Sequence, residues 1–132
     1  MAAGFVGILN VELHFPAAGS LKGKRKFVKS AKAQLHNRFG AAVAEVEHHE
    51  LWQRSRLTVA CVAREHREAE KLLEEAVRYL SGQEYDLIWH RRRIASVEDE
   101  FANVYGEALD LQGSGWVGDL EAMRGGDLIE EL

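Results

Sequence analysis

Apolar and polar residues alternate along four segments of the chain, and this alternation predicts four β-strands. In the first, Phe5–Phe15, apolar residues and Gly7 occupy the odd positions, whereas Asn10, Glu12 and His14 face the other way. The alternation slips in the second strand, and a bulge near Val43 would explain the slip. The other three strands are predicted at Ala41–Glu47, Leu57–Ala63 and Tyr85–Ile94.

Two segments have the 3.6-residue period of amphipathic helices. The first runs from Leu21 to Phe39, with Ser20 as the predicted N-cap and Gly40 as the predicted end. The second runs from Glu65 to Ser81 and carries its own stripe of Ala, Leu and Val residues. Both stripes indicate helices that pack against a common core.

The predicted order is β-α-β-β-α-β, which is typical of the α+β ferredoxin-like sandwich. In that fold two helices cover one face of a four-stranded antiparallel sheet, and right-handed crossovers place the first strand beside the third. Val6, Ile8, Ala60 and Val62 would then lie on the face that carries no helix. Because an apolar face needs a cover, we expect a homodimer through this open face or a cover from the chain itself.

Charge is distributed much less evenly than the net charge of −4 indicates. Residues 13–44 contain no Asp or Glu but include seven of the 17 Lys and Arg residues. Residues 97–132, in contrast, contain ten acidic residues and one basic residue. This segregation favours the docking of an anion on the first helix.

The basic residues of the first helix form a stripe beside its apolar stripe. Lys24 alone falls inside the apolar stripe, and we expect its amine to reach solvent along the helix surface. The stripe begins at a helix N-terminus, which itself favours anions. A solvated face is the alternative interpretation. The predicted RNA-binding or anion-binding residues are Lys22, Lys24, Arg25, Lys26, Lys29 and Lys32, together with Arg91, Arg92 and Arg93 in the last strand.

The segment between the second and third strands contains a second candidate surface. Leu51 is expected to cap the end of the core, whereas Trp52, Gln53 and Arg54 are predicted interaction residues, because Trp and Arg are common in binding hot spots. The third strand contains no aromatic residue. We therefore expect any RNA contact to use helix and loop charge rather than bases stacked on the sheet.

The acidic C-terminal segment is predicted to be separate from the folded domain. We expect a ferredoxin-like domain at residues 1–96 and an acidic extension at residues 97–132. Ser96 and Asp99 have the spacing of a capping box, and the apolar residues that follow predict one amphipathic helix ending near Leu111. We expect that helix to dock on its own domain or on a partner subunit.

The sequence contains no recognisable catalytic motif. It lacks a Gly-x-Ser-x-Gly motif and a Walker-type phosphate loop, and the spacing of His48, His49 and Glu50 matches no metal motif. The single Cys61 cannot form an internal disulfide, and no signal peptide or membrane span is recognisable. We expect a non-enzymatic cytoplasmic protein without a metal, a cofactor or a membrane contact.

Three segments resemble the YlxP-like family of small bacterial proteins: Ser20–Arg25, Asn37–Val46 and Leu51–Arg54. The resemblance covers roughly residues 4–95 and implies a ferredoxin-like fold with no established activity. Genes of the family often lie beside those for ribosome-binding factor A and translation initiation, which implies ribosome assembly by association only. Gly23 stands where the family usually has Glu, and the acidic extension lies outside the family core.

Two functions fit these features. The first is a non-enzymatic RNA-associated or ribosome-associated protein, in ribosome assembly, whose basic helix contacts phosphates. The alternative is a dimeric module for a small ligand or a protein partner, acting through the open sheet face. A steep loss of affinity with salt favours the first function, because phosphate binding releases counterions.

Overall fold

A computed structural model of the protein describes residues 3–102. The predicted order of elements is confirmed, and their bounds differ from the predicted ones by no more than three residues. Residues 97–102 begin a further helix, whose predicted continuation lies outside the described residues. The elements are β1 (Phe5–His14), α1 (Leu21–Phe39), β2 (Ala42–Glu47), β3 (Arg54–Ala63), α2 (His66–Ser81) and β4 (Asp86–Ser96).

The four strands form one antiparallel sheet in the order β2-β3-β1-β4, which confirms that the first and third strands lie at its centre. Both helices contribute to a single hydrophobic cluster with the odd-numbered residues of β1, so they lie on the same face. The protein therefore has the ferredoxin-like α+β fold. The chain divides into two units, Met1–Ser96 and Val97–Leu132.

The ends of α1 form as the sequence predicts. Ser20 has extended backbone geometry, and its hydroxyl oxygen accepts a hydrogen bond from the Gly23 N–H at 3.0 Å. At the other end, Gly40 adopts the left-handed conformation with φ of 65°, and its N–H donates to the His36 carbonyl. Both ends of the helix that carries the basic stripe are thereby fixed.

The core lies between the helices and the sheet. Leu9, Val11 and Leu13 of β1 are fully buried, and so is Leu73 of α2. A Cβ atom at Gly7 would lie only 3.1 Å from Cγ of Leu73. Glycine at this position therefore allows α2 to pack closely on the central strand.

The sheet contains two bulges, and neither lies at the predicted position. Val43 pairs regularly with Val59, and the register between β2 and β3 shifts only between Glu45 and Glu47. The bulge predicted near Val43 thus lies at Val46. Up to Glu45, which pairs with Leu57, the odd-numbered residues of β2 stay on the face that the helices cover. A second shift, after Glu12 in the pairing of β1 with β4, leaves Ile88 as the extra residue.

Within residues 3–102, no helix is long and apolar enough to cross a membrane.

Candidate nucleic-acid interface

The basic stripe of α1 lies in solvent, as its periodicity predicts. The helix has no acidic residue in its first turn and carries His36 and Arg38 in its last. Within residues 3–102, no carboxylate forms an ion pair with the exposed stripe. Within the described part of the chain, its charges are therefore not compensated. The exposed basic side chains are those of Lys22, Arg25, Lys26, Lys29 and Lys32.

Lys24 does not belong to this surface, and its predicted anion contact is corrected. Its side chain does not reach solvent: it is 1% exposed and points towards the β2–β3 connection. Its Nζ donates to the Glu45 carboxylate at 3.0 Å and to the carbonyls of His48 at 2.7 Å and Arg54 at 3.2 Å. These bonds occupy the ammonium group, because a buried charge requires close partners.

Glu45 compensates the buried charge of Lys24. The Ser55 hydroxyl also donates to this carboxylate, at 2.7 Å. Burial alone would raise the pKa of Glu45, but the hydrogen bonds from Ser55 and Lys24 and the positive charge of Lys24 lower it below its usual range. Glu45 reaches Lys24 because it lies on the helix-covered face, directly before the bulge at Val46.

The same network holds the β2–β3 connection against the start of α1. The Gln53 side chain donates to the carbonyls of Pro16 and Ala18 at 3.3 Å and 3.2 Å, so this predicted interaction residue has a structural role. The expectation that Leu51 caps the core is wrong, because its side chain is exposed. Trp52, 55% exposed, keeps the surface position that an interaction residue needs.

A second buried charge lies on the opposite face of the sheet. Glu12 is 2% exposed, and its carboxylate accepts hydrogen bonds from Arg54 Nη1 at 2.9 Å and Arg56 Nε at 3.0 Å. The Nε2 atom of His48 lies 3.0 Å from the same carboxylate. Burial alone would raise the pKa of Glu12, but the two arginine hydrogen bonds and the nearby positive charges leave it below its usual range.

His48 and Arg54 join the two buried charges into one network. His48 adopts a left-handed backbone with φ of 67°, which is uncommon for a residue with a side chain. This conformation directs its carbonyl to Lys24 and its ring to Glu12. Arg54 likewise accepts from Lys24 through its carbonyl and donates to Glu12 through its side chain. Arg54, predicted as an interaction residue, therefore takes part in an internal ion pair.

The search for a metal site gave no candidate in residues 3–102. No group of three or more His, Cys, Asp or Glu side chains there has the geometry to hold a metal ion. His48, whose spacing the sequence analysis considered, contacts Glu12.

The three arginines of β4 are divided between the two faces of the sheet. Arg91 lies opposite Asn10 and Arg93 opposite Ile8, so both lie on the open face. Arg92 lies opposite Leu9, a core residue, and therefore on the helix side of this edge strand. The sheet separates Arg91 and Arg93 from the stripe on α1, so the predicted residues do not form one surface.

Trp89 is the residue that the sequence interpretation missed. It lies on the open face opposite Glu12, and its ring centroid is 5.1 Å from the Cζ of Arg56 and 5.7 Å from that of Arg91. The observation that β3 contains no aromatic residue holds, and Trp89 of the edge strand β4 adds one aromatic ring to the open face. The alternation of Trp89, Arg91 and Arg93 along β4 was the available signal.

The apolar end of the open face is confirmed. Val6 and Ile8 on β1 lie opposite Val62 and Ala60 on β3, as predicted. Val62 is 75% exposed and Ile8 is 38% exposed. The open face therefore has an apolar end and a charged end.

Comparisons with known proteins support one family. The family model described as "Protein of unknown function (DUF503)" matches residues 6–93, more than half of the chain. The chain is 28% identical over 77 residues to "Uncharacterized protein YlxP" of Bacillus subtilis (strain 168), covering 58% of this chain and 84% of that protein.

Two solved structures are also similar. One is a putative antibiotic biosynthesis monooxygenase from Bacillus cereus, with 14% identity, a TM-score of 0.38 and coverage of 72% of this chain and 93% of that one. The other is the de novo designed protein Ferredog-Diesel, with 12% identity, a TM-score of 0.35 and coverage of 69% and 84%. By the extent of the family match, the chain belongs to the DUF503 family of proteins of unknown function, in agreement with its YlxP-like resemblance.

Proposed function

We propose that the protein associates with RNA, free or within a ribosomal particle, without acting as an enzyme, and that the exposed face of α1 contacts the phosphates. One observation carries the proposal: the exposed cations between Lys22 and Lys32 have no carboxylate partner within residues 3–102. Each cation that neutralises a phosphate releases counterions, which supplies affinity without a shaped pocket.

The other helix shows that solubility alone does not require such a surface. The exposed side of α2 mixes both signs, with Glu68, Glu70 and Glu74 interspersed among Arg67 and Lys71. Mixed charges keep a helix surface soluble without creating a field of one sign. The single-sign face of α1 therefore favours an anionic partner over simple solvation.

Trp52 extends this surface at the start of α1. Lys24 and Gln53 fix the loop beside the first turn of the helix through four carbonyl contacts, two from each side chain at 3.3 Å or less. An exposed indole next to a row of cations suits single-stranded RNA, because a base stacks on the ring while the backbone follows the charges. We therefore include Trp52 in the proposed interface.

The test reverses three charges of the stripe in one variant, Lys22→Glu with Arg25→Glu and Lys29→Glu. The matched control reverses three exposed charges of α2, Arg67→Glu with Lys71→Glu and Arg78→Glu. Binding of a labelled single-stranded RNA is measured by anisotropy at several salt concentrations. The slope of log affinity against log salt should fall by about 2 in the α1 variant, at roughly 0.7 per lost contact, and much less in the control.

Circular dichroism should show native helix content in both variants, because all six positions are exposed. If the two variants lose affinity equally, net charge rather than the α1 surface governs binding. If the folded α1 variant binds RNA as the unaltered protein does, the proposal fails.

A dimer through the open sheet face is the second candidate, and the exposure of Val62 favours it. A β-branched apolar side chain that is 75% exposed beside the partly exposed Ile8 is suited to a second apolar surface. Sedimentation should show a dimer that Val62→Asp converts to a monomer, whereas Thr58→Asp, farther along the same strand face, should have a smaller effect. A monomer at all concentrations tested would exclude the dimer.

A further inference from the structure

The charged end of the open face contains a groove that the proposed α1 interface does not use. Its volume is about 290 Å³, and it is lined by Ile8, Asn10, Arg91, Arg92 and Arg93. The register of β1 with β4 explains its composition. Asn10 lies opposite Arg91, and Ile8 opposite Arg93, so two cations, one amide and one apolar side chain share a small area.

Arg91 is held for binding by Trp89. Its Cζ lies 5.7 Å from the indole centroid, and a guanidinium that contacts an aromatic ring in this way can still donate hydrogen bonds to an anion. Arg56 contacts the same ring but donates its Nε to Glu12, which offsets its charge. Within residues 3–102, Arg91 and Arg93 form no ion pair with any carboxylate. Among the described residues, the two guanidinium groups at the groove therefore have no compensating carboxylate.

Asn10 presents donors of a second kind. The Thr58 hydroxyl donates to its Oδ1 atom, which leaves the amide N–H groups as the part of the side chain that is not engaged by Thr58. Ile8, two positions away on the same face, is 38% exposed and supplies an apolar surface. Guanidinium groups suit a phosphate, an amide donor suits a hydrogen-bond acceptor, and an apolar side chain suits the face of a ring.

We propose that this groove binds a nucleotide. Its phosphate accepts hydrogen bonds from Arg91 and Arg93, because guanidinium groups match phosphate oxygens with paired N–H donors. Its base lies against Ile8, and the amide of Asn10 donates to an acceptor on the base edge. The nucleotide is either free or part of a single strand. The site does not depend on the α1 surface, since the sheet lies between them.

Protection of an edge strand is the competing explanation for the arginines. β4 lies at the sheet edge, and charged residues there prevent pairing with other strands. That role needs only charge, whereas the structure places Arg91 within cation–π distance of Trp89 and an amide donor opposite it. Arg67 of α2 carries the same charge and is exposed, but it does not line the groove, and it is therefore the matched control.

The experiment measures binding of three probes to the full chain by calorimetry: ADP, an eight-nucleotide oligoadenylate and inorganic pyrophosphate. Arg91→Gln should lower the affinity for the nucleotide probe by about tenfold, since one charge-assisted hydrogen bond is lost. Arg67→Gln should change it by less than about twofold. Asn10→Asp keeps the acceptor for Thr58 but removes the donors and should also weaken binding.

The probes separate the two sources of the ligand. Binding of ADP with this pattern identifies a free nucleotide as sufficient, whereas binding of the oligoadenylate alone identifies a nucleotide within a strand. Pyrophosphate that binds as tightly as ADP, equal losses in the Arg91 and Arg67 variants, or no binding of either nucleotide probe would overturn the proposal. The α1 triple variant should keep its affinity for ADP, so failure of the α1 interface and failure of the groove give different results.

Discussion

The basic face of α1 and the charged end of the open sheet use positive charge in opposite ways. On α1, cations such as Lys22 and Lys29 stand in solvent without carboxylate partners among residues 3–102. On the sheet, Glu12 is buried beneath Arg54 and Arg56, and Trp89 lies within 6 Å of two guanidinium groups. The helix surface can thus change with little effect on folding, whereas the sheet surface is part of the fold.

Lys24 connects the two surfaces. It belongs to the basic run by sequence, yet it behaves like the charges of the sheet, because it is buried and bonded to Glu45 and to loop carbonyls. Substitution of Lys24 should therefore lower the unfolding free energy more than substitution of Glu12 or Gly23. The three segments that resemble the YlxP-like family meet at this residue and its partners, so a structural role accounts for part of the resemblance.

Lys24→Met should destabilise the protein by about 3–5 kcal/mol, because it leaves the partly buried carboxylate of Glu45 without its cation and two loop carbonyls without their donor. Lys22→Met, two residues earlier and exposed, should change the unfolding free energy by less than about 0.5 kcal/mol. Urea denaturation of the two variants measures the difference directly. Similar stabilities for both would show that the Lys24 network does not hold the β2–β3 connection.

Glu12→Gln should have a smaller effect, about 1–2 kcal/mol, because Arg54 and Arg56 are partly exposed and water can replace some of the lost interaction. The substitution should also alter the acid limb of stability. The pKa values of Glu12 and Glu45 are lowered in the folded protein by their hydrogen bonds and nearby cations, so the unfolded chain takes up protons first as the pH falls.

Their contribution is therefore complete above the titration range of an ordinary glutamate and is lost as the pH falls through the folded pKa values. In Glu12→Gln the unfolding free energy should decline less steeply with falling pH than in the unaltered protein. Urea titrations at several pH values measure both slopes. Parallel acid limbs would mean that the Glu12 ion pairs do not contribute to acid sensitivity.

The sequence predicted what depends on a single segment. The caps at Ser20 and Gly40, the buried odd positions of β1 and the exposed stripe of α1 all follow from local spacing. It failed where partners come from different elements. A buried Lys24 depends on where Glu45 and the loop carbonyls lie, and these lie within reach because the bulge occurs at Val46 rather than at Val43.

Trp89 was missed for the same physical reason. Its own strand shows only an aromatic residue before three arginines, a pattern that also fits a charged edge strand. The cluster appears when the register places Trp89 and Arg56 on either side of Glu12, one on β4 and the other on β3. Cross-strand neighbours are set by the pairing of distant segments, and the periodicity within one segment does not predict that pairing.

The smallest predicted effect on stability is that of substituting Gly23, in the first turn of α1. A Cβ atom there would lie 3.4 Å from the Ser20 hydroxyl oxygen, an ordinary contact, so Gly23→Ala should stabilise the protein by about 0.5–1 kcal/mol. Gly23→Glu should stabilise it at least as much, because the carboxylate can accept from the Ser20 N–H and interact favourably with the helix dipole.

The two Gly23 variants should differ in RNA binding. The glutamate lies one turn before Lys26 and should reduce RNA affinity by about twofold, whereas the alanine should leave it unchanged. Denaturation and anisotropy on the same samples test both effects, and equal RNA affinities would exclude the first turn of α1 from the interface.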